Sequence, residues 1–252
     1  MPKFDPELFK EFLKLYWLRP ENGALMYYQS QTWDDIPVVN PSVDISTGDG
    51  TYVFLHCGGR FEDGFDFFNA TKARGFTHDS FVDIYDTVAD DFTPLISRHP
   101  AVNFTVGTDW KPALLAKANK LDFFEQLTEH DNNVLPFPFH DGHFKFVHSN
   151  AIYWTKNPKE ILSDVYRMLD HDGSVVLEMA TDKILSSTLE RLRPVLTPRA
   201  MSILDRKRSE EMKSVNIDID DWSAWIKQAG FRILDLRVAW PNQMITDFWN
   251  IG

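Results

Sequence analysis

Two short segments of the sequence end in residues that suit a polar, ribose-containing ligand. Residues 43–50 read VDISTGDG and residues 106–109 read VGTD. Each is an apolar run that ends in an acid or a glycine-rich turn, which is typical of a buried strand whose backbone approaches a ligand closely. In open α/β sheets ligands bind at the carboxyl ends of the strands, where an acid such as Asp109 can hold both ribose hydroxyls. The pattern predicts a nucleoside-containing cofactor.

The rest of the sequence predicts the elements that position these segments. Asp5 and Pro6 are typical of a helix start, and a second helix is expected over 21–33. From Val43 onward strands and helices alternate, which implies a mostly parallel sheet covered on both faces. Strands are expected near 42–46, 102–108, 125–130, 144–149, 174–180 and 231–238, and helices near 111–121, 158–169, 183–213 and 219–229.

Composition limits the classes of function. The chain has 252 residues, of which 43% are hydrophobic, enough for one large domain. Its net charge of −11 argues against general nucleic-acid binding, which needs a cationic surface. Cys57 is the single cysteine, and no apolar run approaches the roughly 20 residues that span a bilayer. We therefore expect a cytoplasmic protein without a membrane span.

One segment is longer than the alternating pattern requires. Almost sixty residues separate Gly50 from Asp109, about twice what a strand–helix–strand crossover needs. The surplus begins at Gly58 and is expected to leave from the cofactor edge of the sheet. A long loop at that place is either a lid that excludes water or a fixed extension that packs its phenylalanines into a satellite core.

Five motifs resemble those of one enzyme family. They are residues 44–50 (DISTGDG), 109–110 (DW), 130–137 (HDNNVLPF), 144–150 (FKFVHSN) and 166–173 (YRMLDHDG). Their order and spacing are similar to those of class I S-adenosylmethionine-dependent methyltransferases, above all the small-molecule "type 11" group with motifs DxGCGDG, GDAxxLPF, FDxVxSN and YRVLKPGG. The resemblance covers roughly residues 40–180 and continues in the last helix, near Trp222.

The resemblance implies a set of cofactor-binding residues. In the family, glycines leave room for the methionine moiety, the acid after the first strand receives the ammonium group, and the next acid holds the ribose. An aromatic ring faces the adenine, a further acid accepts from its amino group, and polar residues line the floor near the transferable methyl. The matching positions are Asp44, Ser46, Gly48, Gly50, Asp109, Trp110, Asp131, Asn132, Ser149 and Asn150.

The sequence gives weaker signals for the residues that bind the methyl acceptor. Tyr153 and His148 are the candidate catalytic residues, needed as a base only if the acceptor must first lose a proton. The alternative for both residues is a structural role, in which His148 and Tyr153 pack in the hydrophobic core. Tyr153 and Trp154 are expected to overhang the methyl group and shape the substrate pocket. Arg19 either closes over the cofactor carboxylate or lies on the surface.

Two departures from the family pattern bear on activity. Ser46 replaces the first glycine of the turn, and residues 171–173 (HDG) replace a lysine-proline-glycine turn. A serine fits there if its φ is negative, although its side chain takes space beside the cofactor. Binding is then weaker or shifted. The alternative is a methyltransferase-like binding or regulatory module with weak or lost turnover.

Two other readings are disfavoured. A nicotinamide-dependent reductase needs a GxGxxG turn, which residues 46–51 (STGDGT) do not form. His140 and His143 suggest a metal site with His130 and His148, but the first two are expected to be exposed at the opposite edge of the sheet. Neither a cysteine nor a carboxylate cluster completes a zinc site in the sequence, so no metal is predicted.

The sequence thus predicts one domain with a doubly wound, mostly parallel seven-stranded α/β sheet. Its parts are an N-terminal helical arm (1–40), a cofactor-binding core (41–180) with an insertion at about 58–99, a helical cap (181–218), and a final helix and strands (219–252). The predicted activity is methyl transfer from S-adenosylmethionine, which leaves S-adenosylhomocysteine, to a small-molecule nucleophile, most simply a hydroxyl group of a sugar, lipid or natural product.

Overall fold

The computed structural model describes residues 4–15, 20–31, 33, 36–62, 93–183, 194–200, 215 and 217–237. Its centre is a five-stranded sheet of β1 (Ser42–Ile45), β4 (Phe104–Asp109), β5 (Phe124–Glu129), β6 (Phe144–Ser149) and β7 (Leu169–Leu177). The spatial order is β5-β4-β1-β6-β7, and all neighbours are parallel. The strand order reverses at β1, with β4 and β5 on one side of it and β6 and β7 on the other. Sheets of this kind bind ligands in the crevice at the carboxyl ends of the strands where the order reverses.

Helices cover both faces of the sheet, as the alternating pattern predicts. They are α1 (Pro6–Leu15), α2 (Pro20–Ser30), α3 (Thr51–His56), α4 (Pro112–Asn119), α5 (Pro158–Met168) and α6 (Ile219–Gln228). One buried cluster joins the N-terminal arm and α3 to the sheet through Phe12, Trp33 and Phe54. The second cluster packs α5 and α6 on the other face, with Val165 and Trp222. Burying each large side chain contributes roughly 1.5–3 kcal/mol.

Successive side chains of a strand point to opposite faces of the sheet, so neighbouring residues belong to different clusters. Val43 and Ile45 of β1 belong to the α5–α6 cluster, whereas Phe146 of β6 belongs to the N-terminal one. Asp44, between the two β1 residues, points to the same side as Phe146. The arm itself starts as expected, because a side-chain oxygen of Asp5 accepts from the backbone N–H of Leu8 at 3.1 Å and caps α1.

Two strand predictions need correction. Residues 231–237 form no strand in the structure, and Leu234 and Leu236 are exposed. Among the described residues no neighbouring strand completes a ladder with them, so seven strands are not confirmed. The strand expected at 174–180 spans Leu169–Leu177 instead. Residues 170–173 lie in a ladder irregularity that begins directly after α5, so the expected separate turn is absorbed into β7.

The insertion also leaves the core at a different place. Its described ends form a two-stranded antiparallel ribbon of β2 (Arg60–Phe61) and β3 (Ile96–Arg98). Phe61 packs on Phe54, which in turn contacts Phe123 just before β5 begins. The ends therefore meet at the amino edge of the sheet, not at the cofactor edge, because α3 has already carried the chain back across the sheet.

Some predictions concern residues outside the described ranges. Arg19, residues 63–92 of the insertion and most of the predicted helical cap (184–193 and 201–214) belong to this group. Residues 238–252, expected to complete the sheet, belong to it as well. The lid hypothesis and the cap remain predictions.

The turn between β1 and α3 is fixed by packing at Gly50. Its φ is +79°, and a Cβ atom placed there would lie 2.9 Å from Cε2 of Phe124 and 3.2 Å from Cβ of Ala118. Gly48 also has a positive φ, +59°, but a Cβ atom there would meet nothing within 4 Å. The glycine at 50 thus makes room for the neighbouring protein side chains, whereas Gly48 faces open space.

Alanine at these two glycines should have unequal effects. We expect Gly50→Ala to lower the free energy of unfolding by about 2–4 kcal/mol, because a left-handed backbone and a steric overlap add together. Gly48→Ala should cost about 1–2 kcal/mol, the backbone term alone. Urea denaturation followed by circular dichroism measures both. Equal losses would show that the contact with Phe124 does not constrain the turn.

Candidate functional site

The ligand-facing edge of the sheet brings together most of the residues that the sequence singled out. Asp109, at the end of β4, reaches across to the turn after β1. Its Oδ2 accepts from the backbone N–H of Gly48 at 3.0 Å and its Oδ1 from that of Lys111 at 2.9 Å. Burial raises the pKa of Asp109, and these two hydrogen bonds oppose the rise. The carboxylate is thereby fixed beside the glycine turn.

Ser46 occupies the turn in a way that the sequence did not predict. Its φ is +65°, so the condition under which a serine replaces this glycine without strain is not met. Its Oγ accepts from Nδ2 of Asn132, which follows β5, at 2.5 Å. This hydrogen bond joins the loops that follow β1 and β5. It also offsets part of the free-energy cost of a left-handed backbone at Ser46.

Asp44 is buried at the end of β1, and His148 is its partner. The carboxylate is 2% exposed, and its Oδ1 lies 2.6 Å from Nδ1 of His148 on the adjacent strand β6. Glu178, the residue after β7, lies on the other side of the imidazole, with Oε1 at 3.8 Å from Nε2. The hydroxyl of Tyr52, in α3, donates to the same Glu178 oxygen.

The sequence interpretation overlooked Glu178 and Tyr52. Glu178 is a single acid that follows the apolar run of β7, which is the same signal that identified Asp109 at the end of β4. Tyr52 gives no such signal, because a tyrosine in the first turn of a helix is unremarkable until its hydroxyl finds a buried carboxylate. Burial and the Glu178 carboxylate raise the pKa of Tyr52 well above its usual value, so it stays protonated and donates.

Other expected site residues lie at the surface of the same edge. Trp110 is 60% exposed, directly after Asp109, and Nζ of Lys111 lies 5.3 Å from the centroid of its ring. Asp131 is exposed, and the backbone and side-chain N–H groups of Asn133 lower its pKa. Tyr153 and Trp154 lie in a short 3-10 helix, Ile152–Trp154, directly after the buried Ser149. Tyr153 packs partly into the core, whereas Trp154 is 41% exposed.

Several buried polar atoms at this edge have no hydrogen-bond partner among the described residues. These atoms are Oδ2 of Asp44, Oγ1 of Thr108, Oδ1 of Asn132 and Oε2 of Glu178. Buried polar groups are normally satisfied, so a cluster of unsatisfied oxygens fits a polar ligand that donates hydrogen bonds. The ammonium and ribose hydroxyls of S-adenosylmethionine are such donors, and the open side of Gly48 leaves room for them.

The histidines form no metal centre in the described part of the chain. His140 and His143 are exposed, as predicted, in the connection that leads into β6. Within the described ranges no group of three or more His, Cys, Asp or Glu side chains is arranged to hold a metal ion. The same residues include no helix of the length and hydropathy needed to cross a membrane.

Two substitutions at Ser46 separate the backbone strain from the hydrogen bond. Ser46→Ala should lower the free energy of unfolding by about 1 kcal/mol, because it keeps the left-handed φ and loses the bond to Asn132. Ser46→Gly loses the same bond but relieves roughly 1–2 kcal/mol of strain, so it should be at least as stable as the parent. Chemical denaturation compares the three proteins. An alanine variant more stable than the glycine variant would contradict the geometry of this turn.

Comparison with known proteins identifies a matching family over part of the chain. A family model described as a methyltransferase domain matches residues 91–177, which include β4 to β7. No curated protein sequence matches significantly.

Similar solved structures share the fold. An S-adenosylmethionine-dependent methyltransferase from Mesorhizobium loti is 15% identical with a TM-score of 0.52, covering 92% of this chain and 93% of the other. A chain of the complex between the Haloferax volcanii Trm112 methyltransferase activator and a methyltransferase has 14% identity and a TM-score of 0.51, covering 92% and 80%. A Thermotoga maritima S-adenosylmethionine-dependent methyltransferase has 13% identity and a TM-score of 0.50, covering 90% and 81%. The chain accordingly shares the class I α/β fold of these methyltransferases, and its residues 91–177 match a methyltransferase domain.

Proposed function

We propose that the protein transfers the methyl group of S-adenosylmethionine to a hydroxyl group of a small molecule. The observation that carries the proposal is the set of buried, unsatisfied oxygens at the carboxyl edge of the sheet, beside the open turn at Gly48. A donor-rich ligand such as the cofactor satisfies them. The cofactor supplies an electrophilic sulfonium methyl group, and the protein supplies alignment and exclusion of water, which together are worth up to about 7–11 kcal/mol.

In this proposal each residue at the carboxyl edge of the sheet binds a different part of the cofactor. Asp44 receives the ammonium group, Asp109 the ribose hydroxyls and Asp131 the adenine amino group, while Trp110 covers the adenine. The turn of Ser46, Gly48 and Gly50 lies against the methionine moiety, and Asn132, Ser149 and Asn150 line the rest. The burial of Asp44 and Asp109, the exposure of Trp110 and the fixed carboxylate of Asp109 support these roles.

The acceptor is proposed to bind at the aromatic pair that follows β6. The rings of Tyr153 and Trp154 are 5.2 Å apart, and the exposed face of Trp154 suits an apolar body beside the reacting group. The Tyr153 hydroxyl can orient an acceptor hydroxyl or accept its proton. The net charge of −11 favours a small neutral or cationic acceptor over nucleic acid. A cytoplasmic location is part of the proposal, supported by the single cysteine.

The alternative of a regulatory module depends on Ser46. The hydrogen bond from Asn132 gives this serine a structural role, so its presence no longer points to lost turnover. Incubation with S-adenosylmethionine labelled in its methyl group and a small-molecule cell extract tests the proposed reaction. Mass spectrometry and NMR of labelled products should show a new methyl ether. Labelled products on nitrogen or carbon only, or none despite cofactor binding, would reject it.

Asp109→Ala should weaken binding of S-adenosylhomocysteine by about 1.5–3 kcal/mol, the usual worth of hydrogen bonds to a charged group. The same change leaves the N–H groups of Gly48 and Lys111 without their acceptor, so a modest loss of stability accompanies it. Titration calorimetry on protein that is folded by circular dichroism gives the affinity. Glu125→Ala, an exposed carboxylate near the opposite end of β5, is the matched control. Unchanged affinity of the Asp109 variant would refute its assignment to the ribose.

Tyr153→Phe should lower the turnover number about 100-fold or more with the acceptor that the labelling experiment identifies, because general acid–base groups contribute this much. Affinity for S-adenosylhomocysteine should stay the same, since the ring is kept. Tyr166→Phe, an exposed tyrosine on α5, is the control for removing a phenol. A turnover number within about twofold of the parent would exclude Tyr153 as the catalytic group.

A further inference from the structure

Five buried side chains from five parts of the chain meet behind the cofactor-facing end of β1. We call them the histidine cluster: Trp33 of the N-terminal arm, Asp44 of β1, Tyr52 of α3, His148 of β6 and Glu178 after β7. Each is less than a tenth exposed, and three of them can carry a charge. Buried charges are costly unless they are paired, so their arrangement carries information.

His148 lies between the two carboxylates. Its Nδ1 is 2.6 Å from Asp44, and its Nε2 faces Glu178 at 3.8 Å. A neutral imidazole donates from one nitrogen only, whereas the imidazolium donates from both. Burial lowers the pKa of His148, but Asp44 and Glu178 outweigh it and raise the pKa to about 9. The geometry shows one hydrogen bond, from Nδ1 to Asp44, while Nε2 has no hydrogen-bond partner among the described residues and meets Glu178 through charge alone.

The surrounding rings suit a cation. The ring of Trp33 lies nearly parallel to the imidazole, with centroids 4.6 Å apart, and the ring of Tyr52 is also parallel at 5.8 Å. His56, stacked on Trp33 from α3, does not compete for the charge, since burial and the nearby His148 lower its pKa to about 3. An aromatic face attracts a desolvated cation. The cluster thus joins the N-terminal arm to three strands through one imidazolium.

The pairing decides which oxygen of Asp44 is available. Oδ1 is engaged by His148, and Oδ2 is buried without a hydrogen-bond partner among the described residues. A carboxylate held through one oxygen cannot rotate freely, so the orientation of the second oxygen is set by the histidine. His148 itself is fully buried, which separates it from any acceptor and argues against the predicted role as a general base.

We propose that His148 is a positioning residue for cofactor binding, which holds Asp44 through Oδ1 so that Oδ2 is left for the cofactor ammonium group, and which ties Trp33 of the N-terminal arm to this geometry. The proposal rests on the assignment of Asp44 to the cofactor made above. It adds a requirement that the other residues of the site do not impose, namely a hydrogen-bond donor to Oδ1 of Asp44 that is buried behind the first strand.

Two amide substitutions distinguish the contacts of His148. The amide nitrogen of asparagine is attached to Cγ, as Nδ1 of histidine is, so His148→Asn can keep the hydrogen bond to Asp44. The amide nitrogen of glutamine lies one bond further out, as Nε2 does, so His148→Gln places its donor on the Glu178 side. His143→Gln, at an exposed histidine directly before the same strand, is the matched control.

Calorimetry with S-adenosylhomocysteine measures the effect on the dissociation constant. We expect His148→Asn and His143→Gln to stay within about threefold of the parent, and His148→Gln to raise the constant about tenfold or more, the worth of one hydrogen bond to a charged group. Equal constants for the Asn and Gln variants would overturn the proposal, because the bond to Asp44 would then not matter.

A measurement on the unsubstituted protein guards against variants that fail to fold. Nitrogen-15 NMR of the histidine rings at about pH 7.5 should show both nitrogens of His148 protonated, since the raised pKa keeps the imidazolium until the pH approaches 9. Addition of S-adenosylhomocysteine should shift the His148 Nδ1–H resonance and leave that of the exposed His143 unchanged. A His148 whose Nδ1 carries no proton, or whose resonances do not change when the ligand binds, refutes this inference alone. Failure of the parent protein to bind the ligand refutes the proposed function and this inference with it.

Discussion

The structure depends on an acid buried in the middle of its sheet. β1 has a strand on each side and helices on both faces, so all four of its residues are buried, including Asp44. A carboxylate in that position is destabilising unless a partner faces it. The parallel register supplies one, because Asp44 stands directly beside His148. The centre of the fold therefore contains a hydrogen-bonded polar pair between the aliphatic Val43 and Ile45, and the glycine turn that follows begins from this fixed point.

The turn after β1 shows how local strain and long-range contacts support each other. Ser46, Gly48 and Gly50 all have positive φ values, a costly sequence of conformations for any residue with a side chain. Each is held by a distant element: Ser46 by the loop after β5, the Gly48 backbone by Asp109, and Gly50 by Phe124. Strain that surrounding structure determines in this way is typical of functional sites.

Much of the fold was visible in the sequence, since helix caps, apolar runs and terminal acids are local signals. The parallel strands at Asp44, Asp109 and Ser149, and the N-terminal arm, follow from them. What sequence could not supply was pairing between distant residues: Glu178 with Tyr52, or Ser46 with Asn132. The sign of φ at Ser46 and the edge at which the insertion leaves depend on such contacts. The alternation at 231–237 predicted a strand, but a strand also needs a neighbour.

The two-stranded ribbon at the base of the insertion has a consequence for how the chain can change. The backbone N–H of Glu62 donates to the backbone carbonyl of Leu95 at 2.8 Å, so backbone hydrogen bonds hold the two ends of the intervening segment together. Lengthening a loop whose ends are held together raises its entropic cost of closure by only about 0.6 kcal/mol for each doubling of its length. Mutation can therefore lengthen, shorten or replace residues 63–92 while the strands that hold Asp44 and Asp109 are left intact. The ribbon thus separates changes in the length of this segment from the strands of the core.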